Sequence, residues 1–158
     1  MPEMSAFPLQ SVLDLAERRA EGQVRLVRMA HGEWLLARAR LVRLDTEVEK
    51  YRLSLRQMVA GAGSGGLWRE AAAHLQDLAQ RRAEGRTEVA RCHERWQEAL
   101  RNWLEEKRRV DALRVLEKRH ERQEARRLGR LEAKLHDELA ARAALLRAAV
   151  ENPGGGMT

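Results

Sequence analysis

Aromatic residues are scarce in this chain, at 4% of 158 residues, and only three prolines occur. A thick globular core is filled largely by rings and branched side chains, so this shortage argues against one. Cysteine appears once, as Cys92, which excludes an internal disulfide and fits a reducing cytoplasm. The opening Met1-Pro2-Glu3 lacks the charged and apolar regions of a secretory signal. Long hydrophobic runs are missing too. The longest uncharged stretch, Gln57 to Trp68, is broken by Gly61, Gly63, Gly65 and Gly66 and is too short to span a bilayer. Any membrane association is expected through a partner.

What dominates instead is Ala, Leu, Arg and Glu, the strongest helix formers, with charged residues at 34%. β-Branched residues are sparse and scattered. An all-α, elongated chain is predicted. The net charge of +6 raises nucleic acid as a ligand, so the order of the charges matters. Arg and Glu interleave, as from Glu105 to Arg109 and from Glu117 to Arg127, in the manner of a solvated helix face. That argues against nucleic acid.

Alternating steps of four and three mark a first apolar seam: Leu9, Leu13, Ala16, Ala20, Gln23, Val27, Ala30, Trp34, Ala37, Leu41, Leu44, Val48, Tyr51, Leu55 and Met58. Only Gln23 is polar, and the pattern holds far beyond the three or four heptads that define a coiled coil. Pro8 is tolerated in a first turn and marks the start. The seam stops in a glycine-rich stretch, where continued helix is costly and a sharp turn is easy. A second seam follows: Trp68, Ala71, Leu75, Leu78, Arg82, Gly85, Val89, Cys92, Trp96, Ala99, Trp103, Glu106, Val110 and Leu113, with Arg82, Gly85 and Glu106 as defects.

If the glycines fold the chain back on itself, facing positions have numbers summing to about 126. Leu41 then meets Gly85, Leu55 meets Ala71, Trp34 meets Cys92, Ala30 meets Trp96 and Leu13 meets Leu113. Large residues repeatedly face small ones, as a thin core requires. Gln23 falls opposite Trp103, whose indole N–H can bond its amide oxygen. The prediction is an antiparallel coiled-coil hairpin of two long helices, one domain over 1–158. It comprises helix over 9–60, turn over 61–66, helix over 67–150 and a flexible tail over 151–158, after the stop at Asn152-Pro153-Gly154.

The second helix is longer. Leu9 faces Glu117, and beyond it some 45 Å of helix, at about 1.5 Å per residue, overhangs without a partner helix. Apolar residues nearly vanish from Glu117 to Arg127 and return as Leu128, Leu131, Leu135 and Leu139. A lone helix carrying such a stripe is marginal in water. A partner, a second copy of the chain, or the residues before the first helix must cover it.

No constellation suggests catalysis. The histidines at 31, 74, 93, 120 and 136 have no zinc-ligand spacing, and Cys92 at a seam position reads as a small buried thiol. No phosphate loop, nucleotide fingerprint or nucleophile elbow occurs. The expectation is a non-enzyme with no metal, no cofactor and no small-molecule substrate. Trp34, Trp68, Trp96 and Trp103 all fall in the seams, which favours packing, with interface anchoring as the other role.

Several segments, in order, resemble the FliJ and YscO proteins of flagellar and virulence type III secretion. They are Leu9 to Glu17 (LQSVLDLAE), Glu49-Lys50-Tyr51-Arg52 with Leu55, Leu67-Trp68-Arg69, Trp103 to Arg119 (WLEEKRRVDALRVLEKR) and Leu131 to Ala144 (LEAKLHDELAARAA). The resemblance implies a stalk, similar to the rotor subunit of rotary ATPases, at the inner membrane's cytoplasmic face. It implies binding to a hexameric export ATPase through Leu9, Leu13, Leu131, Leu135 and Leu139. It also implies binding to the cytoplasmic domain of the export gate through Leu44, Tyr51, Trp68, His74 and Leu78, where His74 stands in place of an aromatic. Export chaperones are further implied partners. The alternatives are a basic coiled coil for nucleic acid or acidic partners, or a chaperone for export substrates.

Overall fold

The computed structural model describes residues 3–61 and 65–152, and within them the chain is all-α. Two helices account for nearly all of it: α1, Gln10–Ala60, and α2, Gly65–Glu151. The middle of the expected turn, 62–64, and the tail after Asn152, with Pro153 and the glycines behind it, lie outside the described residues.

The start of α1 follows from Pro8. The Phe7 carbonyl accepts the Gln10 N–H at 3.1 Å, closing a turn with Pro8 at its second position, where the fixed φ of proline is favourable. The Leu9 carbonyl then accepts the Leu13 N–H at 2.9 Å, the first full helical bond across that start. At the other end of α1, the Gly61 N–H bonds the Met58 carbonyl at 3.1 Å, a tightened last turn. Gly65 and Gly66, read from the sequence as turn, instead open α2. The first N–H groups of a helix have no intrahelical acceptor, so glycine costs less there than inside.

The described residues form two compact units. One contains Ala16–Arg109, in which the two helices run antiparallel and pack along the seams. Its buried apolar residues, Ala16, Ala37, Val48, Ala71, Leu78 and Cys92, are all seam positions, and mostly small. Leu41 meets Gly85, as the register summing to 126 requires. A Cβ added at Gly85 would stand 3.3 Å from Leu41 Cδ1 and 3.6 Å from Leu44 Cδ1, so glycine lets two leucines close over α2. The other defects are also accommodated. Arg82 reaches across to Asp45 at 3.8 Å, burying its stem, and Glu106 bonds Arg109 at 3.2 Å through one oxygen while the other has no partner.

Two details differ from the facing-residue scheme. Trp96 does not simply cover Ala30: it stacks on Trp34 with ring centroids 5.0 Å apart, and His31 lies 4.7 Å from the same ring. Indole rings are long enough to lean along the helix axis to the next layer, where ring–ring contact adds to area burial. Gln23 Oε1 is buried without a hydrogen-bond partner, so the expected bond from Trp103 is not made. The Trp103 ring lies instead under the Lys107 ammonium, 5.3 Å from its centroid.

The second unit joins the described residues of 3–15 to those of 110–152, and Leu13 and Val110 are buried in it. No second helix accompanies α2 beyond Glu117, and of the covers left open by the sequence the residues before α1 take the stretch up to Arg127. The extended residues before α1 lie along α2 as far as Arg127. Ser5 N–H donates to Glu124 Oε2 at 3.3 Å, the Ser5 carbonyl sits 3.0 Å from His120 Nε2, and Arg127 donates to the Glu3 carbonyl at 3.3 Å. The Phe7 ring meets His120 at 5.8 Å. A segment outside regular structure has free N–H and C=O groups, and the polar stretch of α2 supplies partners for those of Glu3 and Ser5.

Gly129, inside α2, has open space around it: an added Cβ meets nothing within 4 Å. Gly129→Ala is therefore expected to stabilise α2 by about 0.5–1 kcal/mol through helix propensity alone, read as a higher melting temperature by circular dichroism.

Candidate partner-binding surfaces

Two apolar surfaces stand out once the seams are subtracted. The first lies in the Ala16–Arg109 unit, where α1 ends and α2 begins. Tyr51, Leu55, Met58 and Val59 from α1 and Leu67, Trp68 and Ala71 from α2 line an open hollow of about 380 Å³. Trp68 is 49% exposed, so its ring is offered to the outside and not spent on the seam. Tyr51 is half-buried, edge-on to His74 at 4.4 Å between centroids, so His74 occupies the aromatic position with a ring contact of its own. Leu44 is half-buried against the open side of Gly85. Leu78 is buried, at 3% exposure, and faces the seam.

The second surface belongs to the other unit. Along α2 the stripe Leu131, Leu135, Leu139 emerges beyond the reach of the N-terminal arm. Leu131 is half-buried, whereas Leu135 and Leu139 are 53% and 61% exposed, and Leu145, Leu146 and Val150 are exposed further along. Leu9 is partly exposed at the start of α1. Leu13, at 2%, is packed inside and presents nothing to a partner. Of the two residue sets read from the resemblance, the structure therefore puts Leu13 and Leu78 in the interior. Both supplied seam positions in the sequence as well, and a seam position next to another helix is buried by it.

The contacts of the N-terminal arm were not legible beforehand. Glu3, Ser5 and Phe7 show no periodicity, and most of the bonds to the arm use its backbone, which carries no sequence signal. Glu124 is the centre of this contact. The Arg127 guanidinium beside it, at 2.8 Å, and the Ser5 N–H hold its carboxyl down to about 2. The Arg127 part of this lowering is internal to α2, whereas the Ser5 part depends on the docked arm; that part favours docking above the ordinary value of 4.5 and is lost as pH falls toward 2. The arm should remain docked at pH 5 and release between pH 4 and 2, visible as a shift of the Ser5 amide resonance. Glu124→Ala, which removes the acceptor, should move the Ser5 amide resonance toward its low-pH position already at neutral pH.

Among the described residues no group of three or more His, Cys, Asp or Glu could hold a metal ion. Cys92 is buried and bonded to Glu88 at 3.5 Å, and burial, with that carboxylate, pushes its thiol up and away from the reactive thiolate. No helix among the described residues is long and apolar enough to cross a membrane.

Two long helices packed as an antiparallel hairpin, with apolar side chains left exposed at both surfaces, define an all-α coiled-coil class of fold. The family described as flagellar FliJ protein matches residues 4–149, and this chain belongs to it. The protein is thus a component of the flagellar protein-export apparatus, in a family of structural export components. No curated protein and no solved structure matches the chain.

Proposed function

We propose that this protein is a non-enzymatic stalk that joins the hexameric export ATPase to the cytoplasmic domain of the export gate, on the cytoplasmic side of the inner membrane. The observation that carries the reading is the stripe Leu135–Leu139, which α2 holds in ordered helix while leaving more than half of each side chain in solvent. Exposed leucines repeated at one spacing on one helix face are what a partner's apolar surface fits. With Leu9 and Leu131 they form the ATPase-binding surface, and Leu13 supports Leu9 from beneath. The gate-binding surface includes the hollow at the other end of α1, with Trp68 as its anchor and Tyr51 in its lining, and continues along the helices to His74 beside Tyr51 and to Leu44, with Leu78 as underlying packing. Export chaperones are further partners consistent with exposed apolar helix faces.

The test is the rate of ATP hydrolysis by a purified export ATPase with and without this protein. Stimulation at saturating protein supports the stalk. Unchanged hydrolysis together with no detectable complex rejects it.

A further inference from the structure

Within the unit that contains the leucine stripe, the charges of α2 separate by face although they interleave along the chain. Lys118, Arg122, Arg126, Arg130 and Lys134 follow one another at intervals of four, with Arg119 beside them. All are exposed. Residues three or four apart are neighbours on a helix, and no such neighbour of Arg119, Arg122, Arg126 or Arg130 is Asp or Glu. None of these four forms an ion pair among the described residues, whereas Arg127, one position from Arg126, pairs with Glu124. Of the carboxylates in this stretch, Glu117 and Glu124 are half-buried and Glu121 and Glu132 are exposed, and none stands three or four residues from the four arginines. Like charges at i,i+4 repel, so the run Arg122, Arg126, Arg130 weighs against the helix that carries it, and carboxylates at helical spacing occur only at the ends of the ladder, Glu121 beside Lys118 and Asp137 and Glu138 beside Lys134.

We infer that the arginine face Arg119, Arg122, Arg126 and Arg130 docks on an acidic, Asp- and Glu-rich protein surface of the partner that also takes the leucine stripe. The occupant follows from the geometry. The basic ladder and the apolar stripe lie on opposite faces of one helix, so a bilayer or a nucleic-acid duplex, which meets a helix from one side, satisfies only one of them. A protein that encloses the helix satisfies both. Guanidinium groups match carboxylates with paired, planar hydrogen bonds, and four of them in a row fix rotation of the helix about its own axis. This inference rests on the proposed ATPase binding and adds to it the prediction of an acidic lining.

The full-length protein and its Arg122→Gln/Arg126→Gln variant are titrated against purified export ATPase at 50 and 300 mM salt. Both positions are exposed, so the variant should keep its helical signal and melting temperature. The inference expects affinity about tenfold weaker at low salt and a flatter salt dependence, because screened charge pairs have been removed. Unchanged affinity and unchanged salt slope would overturn it while leaving ATPase binding itself intact. Failure of the wild-type protein to bind would instead reject the proposed function. Two further probes decide the occupant: vesicles rich in phosphatidylglycerol and duplex DNA. Retention of the wild type on either at 150 mM salt, lost in the variant, would contradict a protein occupant; no retention supports it.

Discussion

Replacing Leu135 and Leu139 together by Asp should abolish stimulation of a purified export ATPase while leaving the helical signal of the protein at its wild-type level. Both side chains stand more than half in solvent, so the folded chain gains little from them. In a complex they would be buried, and each is then worth about 1.5–3 kcal/mol of transfer from water. Asp removes that gain and adds a carboxylate that has to be desolvated, so affinity should fall by at least about 100-fold. A parallel change to Ala should be milder, retaining some apolar surface without introducing charge. If the Asp pair stimulates as well as wild type, the stripe is not the ATPase surface.

At the other end of α1, the two residues Leu78 and Trp68 should separate folding from binding. Leu78 is 3% exposed, and Leu78→Ala should cost about 2–5 kcal/mol, because a thin two-helix core has few neighbours to collapse into the space. The melting temperature should drop by roughly 5–15 °C. Trp68 is 49% exposed beside the hollow, so Trp68→Ala should leave the melting temperature nearly unchanged and weaken binding to the gate's cytoplasmic domain by at least about tenfold, as loss of an aromatic anchor does. Equal loss of stability in both variants would place Trp68 in the core instead of the interface.

The hairpin was legible because heptad spacing is a property of side chains alone. Leu41 and Gly85 already carried the register in their sizes, a large residue set against none, and their contact in the structure follows it. Arg82 and Glu106 looked like defects because the sequence shows a charge at a seam position but not the Asp45 or Arg109 that takes it up. The N-terminal arm was one of the expected covers of α2, but its individual bonds were not legible, for a related reason. Its bonds run through the Ser5 and Glu3 backbones, and any residue there would supply the same groups. The stacking of Trp34 on Trp96 depends on how two indoles lean between layers, which numbering by layers does not encode.

The candidate surfaces were read less completely. Leu135 and Leu139 came out exposed, but the same pattern placed Leu13 and Leu78 inside, since periodicity marks an apolar face without saying whether a helix of the same chain covers it. The basic ladder was hidden by reading charges in chain order. From Glu117 to Arg127 acids and bases alternate in the sequence, yet at a spacing of four from Lys118 to Lys134 only bases occur. A helix turns that second spacing into a face.

The stoichiometry of the complex with the export ATPase, measured by native mass spectrometry, tests the stalk most directly. A helix carrying an apolar face and a basic face, both enclosed by one ring, fills the axis of that ring and leaves no room for more copies. One chain per six ATPase subunits is predicted. Six chains per hexamer, or no complex at all, would contradict a central stalk.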